Sequence, residues 1–224
     1  MKAIIITVDG PAGAGKSTVS RTLAARLGYR YVDTGAMYRV IGVLAAERGI
    51  DLSNESALAA LCDEVPITFE SVGDKVITRA DGRDLSELIR SGAAGQLASK
   101  VSTLPAVRER LVTAQRRLGA GGGVVMEGRD IGTVVFPDAP LKIFLDASPA
   151  ERARRRAVEL QARGEHVDVA AMEREIAERD ARDRSRAHSP LRAAPDAHVV
   201  DSTAQPVDAI VGRLLALAQR LERA

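Results

Sequence analysis

The run Gly10-Pro11-Ala12-Gly13-Ala14-Gly15-Lys16-Ser17 fits the pattern G-x-x-x-x-G-K-[ST], and it stands directly after an apolar strand and directly before an amphipathic helix. That setting leaves few folds open. The strand, Ala3-Ile4-Ile5-Ile6-Thr7-Val8, is rich in β-branched residues and apolar on both faces, as a central parallel strand covered by helices on either side must be. Glycines at 10, 13 and 15 allow a tight turn whose backbone N–H groups converge on an anion, and the helix opening near Gly15 adds the positive end of its dipole. Residues Gly10 to Thr18 are thus expected to hold a nucleoside triphosphate. Lys16 is expected to reach its β- and γ-phosphates, and the Ser17 hydroxyl to ligate a Mg²⁺ that bridges them.

Composition narrows the partners. With 224 residues, 46% of them hydrophobic, the chain can bury one good core with enough left for a small inserted lobe, so one main domain is expected. A formal charge of only +2 gives little support for a nucleic-acid surface, and no polymer partner is expected. Only five of the 32 basic residues are lysine; the arginine excess suits bidentate recognition of phosphate, and equally suits a bias in base composition. Cys62 lies in the apolar stretch Leu58-Ala59-Ala60-Leu61-Cys62 with no second cysteine to pair with, and reads as core filler. No apolar run approaches the ~20 residues needed to cross a bilayer, and the N-terminus shows no cleavable leader, so a cytoplasmic protein without membrane contact is expected.

Along the chain, strands alternate with helices, which implies a parallel sheet. A helix is expected from Thr18 to Leu27 with Gly28 as its C-cap, a strand from Tyr29 to Asp33, and a helix from Ala36 to Arg48 closing at Gly49. Between Ser53 and Ser91 the character changes to short alternating strands, Val65 to Glu70 and Lys75 to Arg79, joined by a Gly73-Asp74 turn: an inserted antiparallel piece. Helices at Ala93 to Val101 and Pro105 to Leu118, then strands at Val124 to Met126 and Leu141 to Leu145, return to the main sheet. Ser148-Pro149-Ala150-Glu151 is a capping box that starts a helix running to about Arg163. A charged helix from Val169 to about Arg186, a strand at His198 to Asp201 and a terminal helix from Val207 to Leu221 complete the pattern.

Three further runs bear on chemistry. Asp33-Thr34-Gly35-Ala36-Met37-Tyr38-Arg39 follows the second strand at the sheet edge where α/β ligands collect; the plainer alternative is a helix start with Thr34 as cap and Arg39 solvated. Glu127-Gly128-Arg129-Asp130 follows the strand Val124-Val125-Met126 and puts an arginine and two carboxylates at the same edge as Lys16. Between residues 152 and 192 stand eleven arginines interleaved with acids, which a solvated helix hairpin laced by i,i+4 ion pairs explains for most of them. Phosphoryl transfer needs several cations converging on the migrating group, and a charged hairpin can also bring these in.

Taken together these runs resemble the bacterial cytidylate kinases, a family of nucleoside monophosphate kinases. The likeness spans nearly the whole chain. It is carried by Val8 to Thr18, Asp33 to Arg39, Glu127 to Ala139, Lys142 to Ser148 and Glu178 to Arg186; Thr34 and Glu127 stand where the family pattern has serine and aspartate, changes that keep the chemical type. The resemblance implies an α/β P-loop three-layer fold with a parallel core sheet (about 1–52, 92–150 and 190–224), an inserted monophosphate-binding lobe (about 53–91) and a small helical lid (about 151–189). It implies transfer of the γ-phosphoryl of ATP to CMP or dCMP, with Mg²⁺, by a protein expected to be monomeric. By similarity Thr34 and Arg39 hold the monophosphate with help from Arg129; Ser99, Arg108 and Asp130 read the cytosine; and Arg179 and Asp183 approach the sugar. Lys16, Arg129, Arg156, Arg179 and Arg186 are the catalytic set that supplies charge to the transferring group. A kinase with a different small acceptor, and a regulatory protein that senses ATP through the same loop, are the rival readings.

Overall fold

The computed structural model describes residues 2–72, 75–162, 164, 166–186 and 189–223, without the side chains of Ser71 and Lys75. In chain order the elements are β1 (Ile5–Asp9), α1 (Lys16–Leu27), β2 (Arg30–Asp33), α2 (Thr34–Glu47), α3 (Glu55–Glu64), β3 (Thr68–Val72), β4 (Lys75–Ala80), β5 (Arg83–Asp84), α4 (Gly92–Val101), α5 (Pro105–Gly119), β6 (Val124–Gly128), β7 (Leu141–Asp146), α6 (Pro149–Gln161), α7 (Val169–Ser185), β8 (His198–Asp201) and α8 (Val207–Arg223). A single 3-10 turn covers Leu88–Arg90 and a π-helical turn covers Ile131–Val135. The expected Gly73-Asp74 turn and the helix end at Arg163 lie outside the described residues. No described helix is long and apolar enough to cross a membrane.

Packing divides the chain into two compact units, residues 1–31 with 122–224, and residues 32–121. The first is built on a five-stranded parallel sheet of order β2-β6-β1-β7-β8. β1 lies between β6 and β7, with Ile6 and Val8 on one face and Thr7 on the other all fully buried, so both faces of the central strand are covered. The register pairs Asp9 with Gly128 of β6 and Phe144 of β7, so β1 and β6 end together just where the glycine loop begins, while β7 runs on to Asp146. Helices α1 and α8 pack together, burying Val19, Leu23, Ile210, Val211 and Leu214. Each such side chain contributes about 1.5–3 kcal/mol when taken fully from water.

The second unit is wider than the insertion expected at 53–91. Its core joins Met37, Ile41 and Leu44 of α2 with Leu58 and Leu61 of α3, Ala98 and Val101 of α4, and Val107 and Leu111 of α5, so the helices flanking the insertion bury their apolar faces with it. Its sheet is antiparallel, in the order β3-β4-β5. Helix α3 is an element that apolar periodicity around Cys62 did not bring out; its start is nonetheless written as an N-cap, with Asn54 Oδ1 accepting from Ala57 N at 3.1 Å. Gly42 of α2 sits against Leu97 of α4 so closely that a Cβ there would lie 2.8 Å from the Leu97 Cβ.

Candidate active site

The glycine loop is held open from outside. The carbonyl of Ala12 accepts from Arg152 Nη1 at 3.2 Å and that of Ala14 from Ser202 Oγ at 2.9 Å, so neither oxygen is turned inward against an anion. Arg155 steadies Ser202 in turn, donating to its Oγ at 3.0 Å and its carbonyl at 2.7 Å. Gly15, left-handed at φ 88°, caps α1 without a side-chain hydrogen bond, at the kind of helix N-terminus where anions bind. Lys16 is buried with its Nζ donating to Pro11 O at 2.7 Å, while Ser17 beside it is exposed.

These features fit a triphosphate accompanied by Mg²⁺. Among the described residues no group of three or more His, Cys, Asp or Glu is placed to hold a metal by itself. The exposed Ser17 hydroxyl at the head of α1 is a group that could join a Mg²⁺ whose other ligands would be phosphate oxygens and water.

At the end of β6 the chain turns sharply. Asp9, buried at the end of β1, accepts Ile131 N on Oδ1 at 2.8 Å and Gly132 N on Oδ2 at 2.7 Å, pinning the start of the π-helical turn and so the Arg129-Asp130 pair just before it. Burial pushes the Asp9 carboxyl up to about 7; the two N–H groups oppose this, the Asp130 charge adds to it and Lys16 opposes it. Glu127 is buried and accepts from the Tyr31 hydroxyl.

The charged hairpin of α6 and α7 is only partly the solvated, ion-pair-laced surface that its composition suggested. Arg154 and Arg155 pair with Glu151, and Arg156 with Glu159 at 2.7 Å, along α6 itself. Other charges turn inward. Asp183 of α7 is buried and takes Arg129 Nε at 3.0 Å and an Arg186 N–H. Burial acts to raise the Asp183 carboxyl, but the guanidinium charges of Arg129, Arg186 and Arg179 outweigh it and hold it below the usual carboxylate range. Four of the expected site residues, Arg129, Arg179, Asp183 and Arg186, therefore share one electrostatic cluster. Ser148 Oγ caps α6 by accepting Glu151 N at 3.3 Å, but Glu151 turns to its arginines and Ser148 N goes to Thr203 Oγ1, so only half of the capping box forms.

In the second unit the helix cap is Asp33, which accepts Ala36 N at 3.1 Å; Thr34 is the first helical residue and is buried. Arg39 is not simply solvated, since its Nη2 lies 2.5 Å from Asp33 Oδ2. The alternative of a Thr34 cap with a solvated Arg39 is thereby corrected: aspartate competes well for the cap and its second oxygen is then aimed at residue 39, about one and two-thirds turns on. Arg108 is buried, its guanidinium 5.7 Å from the Tyr38 ring centre and 3.3 Å from Ser102 O, while Ser102 Oγ donates to Ser99 O at 3.0 Å. Arg108 and Ser99 thus gather around Ser102, and Tyr38 links them to the first turns of α2 that carry Thr34 and Arg39. Cys62 is partly buried, and burial pushes its thiol up to about 12, which suits filler and not a nucleophile.

Asp9, Asp33, Tyr38, Arg152 and Ser202 were given no role by motif reading. Two left a signal: Asp9 is an acid closing an otherwise apolar central strand, and Asp33 is an Asx residue directly before a helix. Arg152 and Ser202 act through contacts more than a hundred residues away along the chain and left none.

A parallel sheet whose first strand feeds a glycine loop, and a helix headed by Lys-Ser, define a P-loop kinase. The family model for cytidylate kinase matches residues 6–220, and the chain belongs to that family. It is 50% identical over 212 residues to a cytidylate kinase of Pelotomaculum thermopropionicum and 49% identical over 211 residues to one of Vibrio cholerae, covering 94% of each chain in both cases. A cytidylate kinase of Geobacter sulfurreducens is 43% identical over 223 residues, covering 100% of this chain and 96% of the relative. Among solved structures, an uncharacterized protein from Eubacterium ventriosum shares the fold with a TM-score of 0.54 at 12% identity, covering 96% of this chain and 98% of that one.

Proposed function

We propose that the protein transfers the γ-phosphoryl group of ATP to CMP or dCMP, giving CDP or dCDP and ADP. An oxygen of the acceptor monophosphate forms the new bond to the γ-phosphorus while the bond to the β-phosphate oxygen breaks, and ADP leaves in line. The acceptor phosphate is largely ionised at neutral pH, so no strong general base is needed, and alignment with charge neutralisation does the work. Mg²⁺, drawing on the Ser17 hydroxyl, would neutralise charge on the phosphate oxygens.

The chain's own residues bind and orient. The loop from Gly10 to Thr18 holds the triphosphate, with Lys16 exchanging the Pro11 carbonyl for phosphate oxygens. Thr34 and Arg39 bind the acceptor phosphate, Ser99, Arg108 and Asp130 read the cytosine, and Arg179 and Asp183 approach the sugar. Arg129, Arg156, Arg179 and Arg186 add positive charge at the transferring group. The segment 53–91 acts as the monophosphate-binding insertion and 151–189 as a lid.

The observation that carries this reading is the outward anchoring of the loop carbonyls by Arg152 and Ser202 around a buried Lys16, the arrangement an anion of high charge requires. ADP formation measured with ATP and Mg²⁺ against CMP, dCMP, UMP, AMP and GMP tests it. CMP and dCMP should give the highest kcat/KM; a preference for another acceptor, or ATP binding with no acceptor-dependent ADP, would overturn it.

A further inference from the structure

Helix α7 is fixed to the rest of its unit through two buried carboxylates, Asp180 and Asp183, three residues apart and so on one face of the helix. Asp183 meets Arg129. Asp180 meets Arg152 of α6 at 2.7 Å, with side chains only 5% and 3% exposed.

Arg152 is also committed to the phosphate loop and its support. The same Nη1 that meets Asp180 donates to Ala12 O at 3.2 Å, Nε donates to Ala147 O at 3.0 Å, and the Arg152 Cβ and carbonyl oxygen form the floor directly under Gly13. One guanidinium therefore touches the end of the β7 segment, the loop and α7 at once.

A buried ion pair is a poor source of stability, because desolvating both charges offsets most of their attraction, and apolar side chains of similar size stabilise as well or better. What apolar side chains cannot do is hold α7 at one rotation relative to a loop carbonyl, since dispersion contacts carry no direction. We propose that Arg152 and Asp180 are a positioning pair that registers α7, and with it Arg179 and Arg186, to the phosphate loop, so that a triphosphate seated in the loop orders α7. Neither residue is among those assigned to substrate, and both are buried. The proposal rests on the kinase reading of the loop and on the charge-supplying role of α7, but not on which monophosphate is the acceptor.

The test compares wild type, Arg152→Met, Asp180→Leu and the Arg152→Met/Asp180→Leu double variant. Each single variant leaves one buried charge unmatched and should melt lower; the double variant removes both charges and should melt close to wild type. Hydrogen exchange of the 169–185 amides, with and without a non-hydrolysable ATP analogue, is the direct readout. Wild type should gain protection there on binding the analogue, and the double variant should not. Its kcat at saturating ATP should fall by between about 5- and 150-fold, the range of a typical coupling between sites, and Asp180→Leu, which keeps the Arg152 bond to Ala12 O, should lose kcat with a smaller change in KM for ATP. A double variant that keeps both nucleotide-dependent protection of α7 and wild-type kcat would overturn the proposal. Should the double variant fail to fold, Asp180→Ala serves: it removes the partner on α7 and leaves the Arg152 Nη1 bond to Ala12 O in place, so loss of α7 protection supports the pair's role and full protection overturns it. If wild type shows analogue-dependent protection of α7 but no CMP-dependent turnover, the acceptor assignment fails while the positioning pair stands.

Discussion

Replacing Gly13 by alanine probes the loop's foundation with a single methyl group. Gly13 is left-handed at φ +77°, and a Cβ built there lies 2.9 Å from both the Cβ and the carbonyl oxygen of Arg152. The backbone conformation and the overpacking together cost about 2 to 5 kcal/mol. The carbonyl belongs to a helix and cannot swing aside like the tip of a long side chain. The strain therefore has two outlets: the native state is destabilised, or the loop lifts from α6 and loses its preformed shape. In the first case the loss appears in denaturant unfolding; in the second it appears as weaker ATP binding, and 2 kcal/mol there is about a 30-fold rise in Kd. Unfolding curves and ATP titration by calorimetry, run on the same samples, should together account for at least about 2 kcal/mol. Gly28→Ala is the control, since Gly28 is also left-handed at φ +67° but has nothing within 4 Å of its would-be Cβ. It should lose only the backbone cost of about 1 to 2 kcal/mol and leave ATP affinity unchanged. A Gly13→Ala protein with wild-type stability and wild-type ATP affinity would refute the claim that the loop rests on Arg152.

Other outcomes follow from the same geometry. Lys16→Met should lower kcat by about two to three orders of magnitude, the effect of losing one preorganised transition-state donor, read in a coupled ADP assay; a near-wild-type rate would contradict the mechanism. Asp130→Asn should reduce the preference for CMP over UMP more than it weakens ATP binding, because an ionised carboxylate only accepts from the cytosine amino group whereas an amide presents both donor and acceptor; comparative kinetics check this. Asp9 sets a pH dependence. Its carboxyl titrates near 7 when folded against 3.8 as the ordinary value, so its favourable, protonated contribution is complete below about pH 4 and is lost as pH rises to about 7. The unfolding free energy of Asp9→Asn should therefore move in the variant's favour relative to wild type across that window, by at most about 4 kcal/mol, and stay level above it. A difference that is flat from pH 4 to 8 would mean that burial does not penalise the Asp9 charge.

Much of the fold was legible because local signals and tertiary demands agree. β1 is apolar on both faces and lies between two parallel strands; Gly28 ends α1 and Pro105 opens α5, as their chemistry dictates. Reading failed where a residue's role depends on a partner distant in sequence. The 152–186 region has the charge pattern of a solvated hairpin, and periodicity cannot tell that Arg152, Asp180 and Asp183 are withdrawn from water while Arg154 is not. The π-helical turn at Ile131–Val135 has no helical periodicity of its own; it exists because Asp9 takes the N–H groups at its start. The second unit's boundary was likewise hidden, since α2, α4 and α5 look like ordinary members of an alternating α/β chain until their apolar faces are found on the same core as α3.

The most direct test of the whole account is a crystal structure with CMP and a non-hydrolysable ATP analogue bound. The triphosphate should lie on the loop amides with Lys16 Nζ moved from Pro11 O to phosphate oxygens, the CMP phosphate on Thr34 and Arg39, and Asp130 should accept from the cytosine amino group. A triphosphate seated away from the loop, or a CMP that leaves Arg39, Arg129 and Asp130 without nucleotide contacts, would contradict it.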